Sequence, residues 1–184
     1  CNATTAAQYF HLLRRQVRRD LRKPLVVFTP KAPLRMKESR SPVTDLTTGS
    51  FQEVLDDPFV TDPAAVKRVV FCSGKVAWDA MGERAKRNLP AAIVRVEQLY
   101  PFPSEQMRSV LARYPGADEV VWLQEEPDNM GPWRFVEARF GKVTDGGHAP
   151  RLVSRIGSGS PATGTKVIHD QELADLIDET FRGL

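Results

Sequence analysis

The sequence predicts an α/β protein whose mainly parallel sheet is covered by helices on both faces, in three layers. Residues 67–184 alternate between short apolar runs and helical patterns, which is the arrangement of βαβ units. The 184 residues are 41% hydrophobic and 27% charged, a composition that supports a core and is unlike that of disordered or fibrous proteins. No apolar run approaches the roughly 20 residues of a membrane-spanning helix. We therefore expect neither a membrane span nor a fibrous fold.

The first predicted element is an amphipathic helix over residues 4–22, which Thr4 or Thr5 can cap. Pro24 prevents this helix from continuing. Four apolar residues at helical spacing are expected to form its buried stripe: Phe10, Leu13, Val17 and Leu21. The helix is thus predicted to pack through this stripe and to turn its arginines outward.

A strand and a connector are predicted to follow. The continuously apolar residues 24–30 predict a strand of the buried parallel type. Residues 31–66 contain four prolines and no long periodic pattern, apart from a helical turn around residues 51–55. We expect this long connector to pack along a surface, because free connectors of this length are uncommon in compact proteins.

Four strand–helix units are predicted from Lys67 onward. The strands are residues 68–74, 91–99, 118–126 and 151–157, and the helices are residues 75–88, 104–114, 132–140 and 171–182. Ser104 and Asp170 are the expected caps of the second and fourth helices. The second helix is expected to turn four side chains inward: Met107, Val110, Leu111 and Tyr114.

The charge is divided unevenly along the chain. Residues 1–40 carry ten Lys/Arg and two Asp/Glu, a net charge of +8, whereas residues 41–184 carry sixteen and twenty-one, a net charge of −5. Such a basic arm can bind a phosphorylated ligand, a nucleic acid or an acidic protein surface, or it can simply be a solvated helix face. Lys23, Lys31 and Arg35 flank the predicted strand 24–30, a placement that suits phosphate or carboxylate binding and also exposed flanking charge.

Two motifs near strand ends favour structural roles. The Gly-rich loop of residues 157–164 is neither a Walker motif nor GxGxxG, so a turn or interface loop is favoured over a phosphate site. Glu125 and Glu126 end a predicted strand, where α/β proteins usually bind ligands. Adjacent strand residues point to opposite faces, so we expect separate salt-bridge, capping or interface contacts instead of a paired carboxylate site.

No catalytic apparatus is predicted. Cys1 and Cys72 are the two cysteines, which argues against a disulfide framework and for a reducing, cytoplasmic location. His11, His148 and His169 have no zinc-site spacing, and no nucleophile motif is present. Because the chain begins with Cys1 and has no signal peptide, we expect it to be a piece of a longer protein, with the chemistry elsewhere.

Six strings, taken in order, resemble the C-terminal end of the 2-oxoglutarate dehydrogenase family, within the broader class of transketolase-like C-terminal domains. VRVEQLYPFP and WLQEEP…GPW are together the most specific. The full set comprises residues 6–16, 22–31, 72–76, 91–103, 121–133 and 160–164. The related 2-oxoadipate enzyme is an alternative.

The resemblance implies three parts: residues 1–40 as the tail of a pyrimidine-binding domain, 41–66 as a linker and 67–184 as the three-layer C-terminal domain. In this family thiamine diphosphate and Mg²⁺ are held by upstream motifs. The resemblance therefore implies no catalytic, cofactor-binding or metal-binding residue in this chain, and no cofactor bound by it alone.

The function implied for the full-length protein is decarboxylation of 2-oxoglutarate and transfer of the succinyl group to the lipoyl group of the succinyltransferase component. This part would be inactive alone and would serve homodimer and complex assembly. Relatives also bind AMP or acetyl-CoA near the junction between the pyrimidine-binding domain and the C-terminal domain, which implies an effector site at Arg22 and Lys23. Lys23 departs from the arginine common in relatives and lacks its bidentate fork.

Two other classes of function remain open from the residues. One is a free-standing nucleotide- or nucleic-acid-binding module that uses the basic arm, although the apolar stripe and the acidic remainder count against nucleic acid. The other is a purely structural dimerisation domain without a ligand. In an isolated chain, the first helix is expected to cover its apolar stripe with another copy.

Overall fold

A single sheet of five strands organises the protein, which we describe from a computed structural model that covers residues 1–146 and 150–184. The strands are β1 (Val54–Leu55), β2 (Arg68–Cys72), β3 (Ala91–Val96), β4 (Glu119–Pro127) and β5 (Arg151–Arg155). Their order is β1-β3-β2-β4-β5. Strands β2 to β5 pair in parallel, and β1 pairs antiparallel with β3. The predicted mainly parallel sheet is confirmed.

In the described part of the chain, six α-helices surround or adjoin the sheet: α1 (Ala6–Arg18), α2 (Val43–Thr47), α3 (Val76–Arg87), α4 (Ser104–Leu111), α5 (Trp133–Phe140) and α6 (Lys166–Phe181). Two 3₁₀ turns lie at Ala32–Leu34 and Pro63–Ala65. Among the described residues, no helix combines the length and apolar character that crossing a bilayer requires.

The strands bury side chains on both faces and so create two cores. Val69 and Phe71 of β2 pack with α4 and α5 on one face. Val70 and Cys72, which alternate with them, pack with α3 and α6 on the other. The three-layer α/β/α arrangement predicted from the alternating pattern is therefore present, with helices on both faces.

Two predicted helix caps are wrong. Pro103 occupies the N-cap of α4, although Met107 of this helix and Tyr114 after it are buried as predicted. Helix α6 starts at Lys166, one turn before Asp170, and Thr165 caps it by accepting a hydrogen bond from the Ile168 N–H. Asp170 instead pairs with Lys166 inside the first turn. An earlier Thr cap thus replaces the predicted Asp cap.

The predicted buried stripe of α1 is also wrong. Thr5 caps the helix as expected. However, the fully buried side chain is Leu12, which packs beside Ala7, Gln8 and His11, whereas Leu13 is 44% exposed. The rest of the predicted stripe is exposed as well: Phe10, Val17 and Leu21. One side of α1 is buried because its polar residues find hydrogen-bond partners in the rest of the fold. The periodicity of apolar residues alone cannot reveal such partners.

Residues 24–30 are extended but belong to no sheet in the structure, which corrects the predicted buried strand. Val26 and Phe28 are exposed. Its backbone pairs with Cys1, whose carbonyl accepts from the Phe28 N–H at 2.8 Å and whose amino group donates to the Val26 carbonyl at 2.9 Å. The described residues offer it no neighbouring strand.

The connector lies along the surface, as predicted, and contributes α2 and β1. The helical turn expected around residues 51–55 is wrong. Val54 and Leu55 form the edge strand instead, opposite Val96 and Arg95. This pairing gives β3 a neighbour on its open side.

Candidate functional site

The N-terminal arm, defined here as residues 1–19, is joined to the C-terminal end of β3 by hydrogen bonds. The Asn2 N–H donates to the Glu97 carbonyl at 2.8 Å. Two residues further on, the Thr4 N–H donates to Glu97 Oε2 at 2.8 Å, and the Thr4 hydroxyl donates to Glu97 Oε1. A carboxylate 93 residues away thus fixes the chain just before α1.

Glu97 is fully buried in this contact. Burial raises its pKa to about 6, although the hydrogen bonds from Thr4 and the nearby charge of Arg95 oppose this rise. The carboxylate therefore holds a proton more tightly than an ordinary glutamate does. Because it is enclosed, it is unsuited to reach a substrate, and its visible role is to hold the arm.

Arg95 completes this group from the same face of β3, two residues before Glu97. Its NH1 donates to the Thr4 hydroxyl at 3.1 Å, and its guanidinium lies 4.9 Å from the centre of the Trp78 ring. The Trp78 indole donates to the Thr4 carbonyl at 3.3 Å. We call Thr4, Trp78, Arg95 and Glu97 the junction cluster.

A second set of contacts fixes α1 itself. Arg15 donates to Gln98 Oε1 at 2.7 Å, pairs with Glu53 at 3.3 Å and stacks 4.1 Å from the centre of the Phe51 ring. Gln8 exchanges two hydrogen bonds with the backbone of Gln52, at 2.6 and 3.0 Å. The arm is therefore joined through specific polar contacts as well as by apolar packing.

Sequence reasoning missed the junction cluster. The signal was present in β3, where Arg95 and Glu97 interrupt a run of apolar residues at a spacing of two. Two charges on the same face of a strand that is otherwise apolar must find partners when that strand is buried. Their partner, Thr4, lies about ninety positions away and cannot be identified from the strand alone.

The predicted effector residues follow α1, four and five positions after its last residue. Arg22 and Lys23 are exposed, and neither forms an ion pair within residues 1–146 and 150–184. Gln16 Nε2 donates to the Lys23 carbonyl at 2.6 Å and so holds the turn after the helix. Arg14, Arg18 and Arg19, which precede them in the chain, are exposed as well. Lys31 and Arg35 are exposed as well.

The Gly-rich loop 157–164 forms one wall of a cavity of about 560 Å³ beside α6. Asn129 holds this loop by exchanging hydrogen bonds with the backbone of Ser158, at 2.9 and 3.1 Å. The Ser160 N–H donates to the Ser158 hydroxyl. Because two loop amides are already engaged, the geometry favours the predicted structural turn over a phosphate cradle.

Glu125 and Glu126 have separate surroundings, as predicted. Glu125 pairs with Lys75 at 3.2 Å, and Lys75 also pairs with Asp79 at 2.5 Å. Glu126 is half-buried and lines a different cavity, where it has no ion-pair partner among the described residues. The two carboxylates therefore do not form one site.

The histidines have structural contacts. His11 is buried, with Nε2 2.6 Å from the Asp45 carbonyl, and His169 Nδ1 lies 3.0 Å from Arg155. His148 lies outside the described residues. Within the part of the chain that the structure describes, no three His, Cys, Asp or Glu side chains come together as metal ligands.

A comparison with protein-family models matches residues 40–181 to the family described as 2-oxoglutarate dehydrogenase C-terminal. This match covers all five strands and helices α2 to α6. The junction cluster thus spans its boundary, because Thr4 precedes the matched residues whereas Trp78, Arg95 and Glu97 lie within them.

Named relatives extend the similarity to the arm. The chain is 43% identical to the 2-oxoglutarate dehydrogenase E1 component of Cupriavidus necator over all of its own length and 20% of that protein. It is 46% identical to the mitochondrial 2-oxoglutarate dehydrogenase of Caenorhabditis elegans, over 98% of this chain and 18% of the relative. For the E1 component of Azotobacter vinelandii the identity is 44%, over 98% and 20%. The chain spans about a fifth of the length of these relatives.

Proposed function

The chain belongs to the 2-oxoglutarate dehydrogenase family, of which it is a C-terminal part, and from this premise we propose that it is an assembly unit of a 2-oxo acid decarboxylating enzyme. The observation that carries this proposal is the junction cluster. A fully buried carboxylate is used to hold two separate segments together and is closed to substrate. The domain boundaries that we propose are 1–40, 41–66 and 67–184.

Exposed apolar surface on the arm supports the same role. Phe10, Leu13 and Val17 are exposed at helical spacing on α1, and Leu21 and Val26 are exposed in the residues that follow it. Most backbone groups of residues 24–30 have no partner among the described residues. An exposed apolar helix face next to a segment with unpaired backbone groups suits further protein structure, and we propose that the pyrimidine-binding domain of the complete enzyme packs there.

For the complete protein we propose decarboxylation of 2-oxoglutarate and transfer of the succinyl group to the lipoyl group of the succinyltransferase component. Thiamine diphosphate with Mg²⁺ would supply the electron sink for decarboxylation. In the family that this chain resembles, the motifs that hold this group lie upstream, so we assign the cofactor site to the remainder of the enzyme, which we propose is a cytoplasmic homodimer.

Assays of the isolated chain and of the complete polypeptide test this division. With thiamine diphosphate, Mg²⁺ and 2-oxoglutarate, we expect turnover by the complete polypeptide and none by the 184-residue chain. Turnover by the short chain would refute the proposal. Assaying 2-oxoadipate in parallel separates the two substrate branches, because the family resemblance accommodates both.

We propose that Arg22 and Lys23 contact an anionic effector, AMP or acetyl-CoA, in the complete enzyme. Their exposure and the neighbouring arginines provide the positive potential that a phosphate group needs. Calorimetric titration of the complete enzyme tests this, with Lys23→Gln as the variant and Lys86→Gln, an exposed lysine on α3, as the matched control. We expect affinity to fall about tenfold in the first variant only. Equal affinities of both variants for the effector would show that Lys23 is not part of the site.

A further inference from the structure

The connectivity of the sheet opens a crevice between β2 and β4. Strand β2 lies between β3 and β4. The chain therefore continues from β2 to β3 on one side of it and later adds β4 on the other side. Helix α3, which follows β2, packs on one face, whereas α5, which follows β4, packs on the opposite face. The chain therefore leaves the two strands in opposite directions, and open α/β sheets bind ligands at such a point.

A cavity of about 430 Å³ occupies this crevice. Ser73, directly after β2, and Glu126, near the end of β4, both line it. Three aromatic residues complete its wall: Phe28 from the extended segment, Tyr100 from the loop after β3, and Phe135 from α5. Its volume lies within the range of small-ligand pockets, and its lining is largely apolar with few polar groups.

Glu126 is the charged group of this cavity. Its carboxylate makes no ion pair or hydrogen bond with another side chain among the described residues, whereas the adjacent Glu125 is paired with Lys75. Burial raises the pKa of Glu126 and the charge of Glu125 adds to this, although a hydrogen bond from its own backbone N–H and the charge of Arg155 oppose the rise. A cation entering the cavity would offset that cost.

Gly131 leaves the space for this carboxylate. It lies in the left-handed region with φ of 66°, and a Cβ atom there would lie 3.0 Å from Glu126 Cβ and 3.1 Å from Cδ. It would also lie 3.2 Å from Gln124 Nε2, so glycine at this position lets the backbone pass close to both side chains.

The aromatic residues set the rest of the ligand chemistry. Tyr100 and Phe135 meet edge to face with their centroids 6.1 Å apart, and Tyr100 is 76% exposed. Aromatic faces attract cations and also pack against apolar stems. An anion would be repelled by Glu126, and a neutral apolar molecule would leave its charge unpaired.

We propose that this switch-point cavity binds an alkylammonium group on an apolar or aromatic stem, with Glu126 as counter-ion and Tyr100 and Phe135 against the stem. The ammonium group could come from a small free amine or from a lysine side chain of a peptide segment, which present the same chemistry. The site is independent of decarboxylation, so its failure would leave the proposed function untouched.

Titration of the complete polypeptide with phenethylammonium tests the proposal, with 2-phenylethanol as the neutral ligand of the same shape. We expect phenethylammonium to bind at least about tenfold more tightly than the alcohol. Glu126→Gln should abolish this difference, and Glu125→Gln should preserve it because that carboxylate is already paired. Equal binding of amine and alcohol, or an unchanged preference in Glu126→Gln, would overturn the proposal.

Tyr100→Ala gives a second variant that does not depend on the folding of Glu126→Gln, since Tyr100 is largely exposed. We expect it to weaken phenethylammonium binding about threefold or more. A capped Gly-Lys-Gly peptide, compared with the norleucine peptide, distinguishes the two sources. Tighter binding of the lysine peptide than of phenethylammonium points to a protein segment, and the reverse order points to a free amine. A Glu126-independent response to both ligands would overturn the site.

Discussion

Thr4 donates both its backbone N–H and its hydroxyl to the carboxylate of Glu97, which lies 93 residues further along the chain. The same hydroxyl accepts a hydrogen bond from Arg95. One threonine hydroxyl therefore bridges a buried anion and a buried cation. Removing the Thr4 hydroxyl would leave polar groups of Glu97 and Arg95 without this partner in the buried interior.

Thr4→Val should destabilise the 184-residue chain by about 1–3 kcal/mol, because it keeps the shape of the side chain and deletes the hydroxyl. Urea denaturation, with the midpoint compared at constant m-value, measures this cost. Thr47→Val is the matched control, since the Thr47 hydroxyl is exposed and bonds only within α2. A Thr4→Val midpoint no lower than that of the control would show that the cluster does not hold the arm.

The raised pKa of Glu97 makes a prediction about pH. Its pKa is about 6 in the folded protein and 4.5 in the ordinary side chain, so between these values the folded state binds more protons than the unfolded state. The contribution of Glu97 to stability therefore increases as pH falls from about 6 to about 4.5. The shift corresponds to about 2 kcal/mol.

Glu97→Gln should remove this contribution. The free energies of unfolding of the native protein and of Glu97→Gln, measured by denaturation from pH 7 to pH 4.5, should diverge in favour of the native protein as pH falls. Taking the difference cancels the other titrating groups, which the two proteins share. Parallel curves across this window would mean that Glu97 titrates as an ordinary carboxyl.

Leu12 and Leu13 test which face of α1 is buried. Leu12 is fully buried and Leu13 is 44% exposed, although the helical pattern predicted the reverse. Leu12→Ala should therefore cost about 2–5 kcal/mol of unfolding free energy, whereas Leu13→Ala should change it by less than about 0.5 kcal/mol. Thermal and urea denaturation of the isolated chain measure both. A larger loss of unfolding free energy for Leu13→Ala than for Leu12→Ala would show that the face predicted from the sequence is the buried one.

The strands and helices after Lys67 could be predicted because local pattern and tertiary structure agree there. Strands β2 and β3 are apolar apart from Arg68 and Arg95, and both of their faces are in fact covered. Helix α3 follows β2 directly, and its apolar positions face the sheet. In such units the burial that a residue needs is visible in its immediate neighbours.

The arm could not be predicted in the same way. Gln8, His11 and Arg15 of α1 face inward because Gln52, Asp45 and Gln98 offer them hydrogen bonds. These partners lie 34 to 83 residues away, and no sequence feature near α1 indicates them. Residues 24–30 have the composition of a strand but no neighbouring strand among the described residues. In both cases distant structure, and not local preference, decides the outcome.

Two glycines differ in what an added methyl group would do. At Gly131 the backbone is left-handed and a Cβ would press against Glu126, whereas at Gly82, inside α3, it would meet nothing within 4 Å. Gly131→Ala should destabilise the chain by about 1–2 kcal/mol. Gly82→Ala should stabilise it by about 0.5–1 kcal/mol, because alanine favours the helix. Denaturation midpoints that shift in the same direction would contradict this assignment.

Arg68 joins the start of β2 to the end of α6. Its Nε pairs with Glu119 at 2.5 Å, and its two terminal nitrogens donate to the carbonyls of Thr180 and Arg182 at 2.8 and 2.9 Å. The last carbonyls of a helix lack partners within the helix and carry its negative dipole end, so a guanidinium suits them well.

Arg68→Met should cost about 2–4 kcal/mol, because it keeps the apolar stem and leaves two carbonyls and one carboxylate with fewer donors. Arg68→Lys should recover only part of this loss, since a single ammonium group cannot reach three acceptors in the geometry of a fork. The matched control is Arg134→Met, which removes an exposed ion pair with Glu137 and should change stability by less than about 0.5 kcal/mol. Urea denaturation measures all three, and amide exchange of the last turn of α6 should quicken in Arg68→Met alone. If that turn stays protected in Arg68→Met, Arg68 does not anchor the helix, and apolar packing of Phe181 would suffice to hold it.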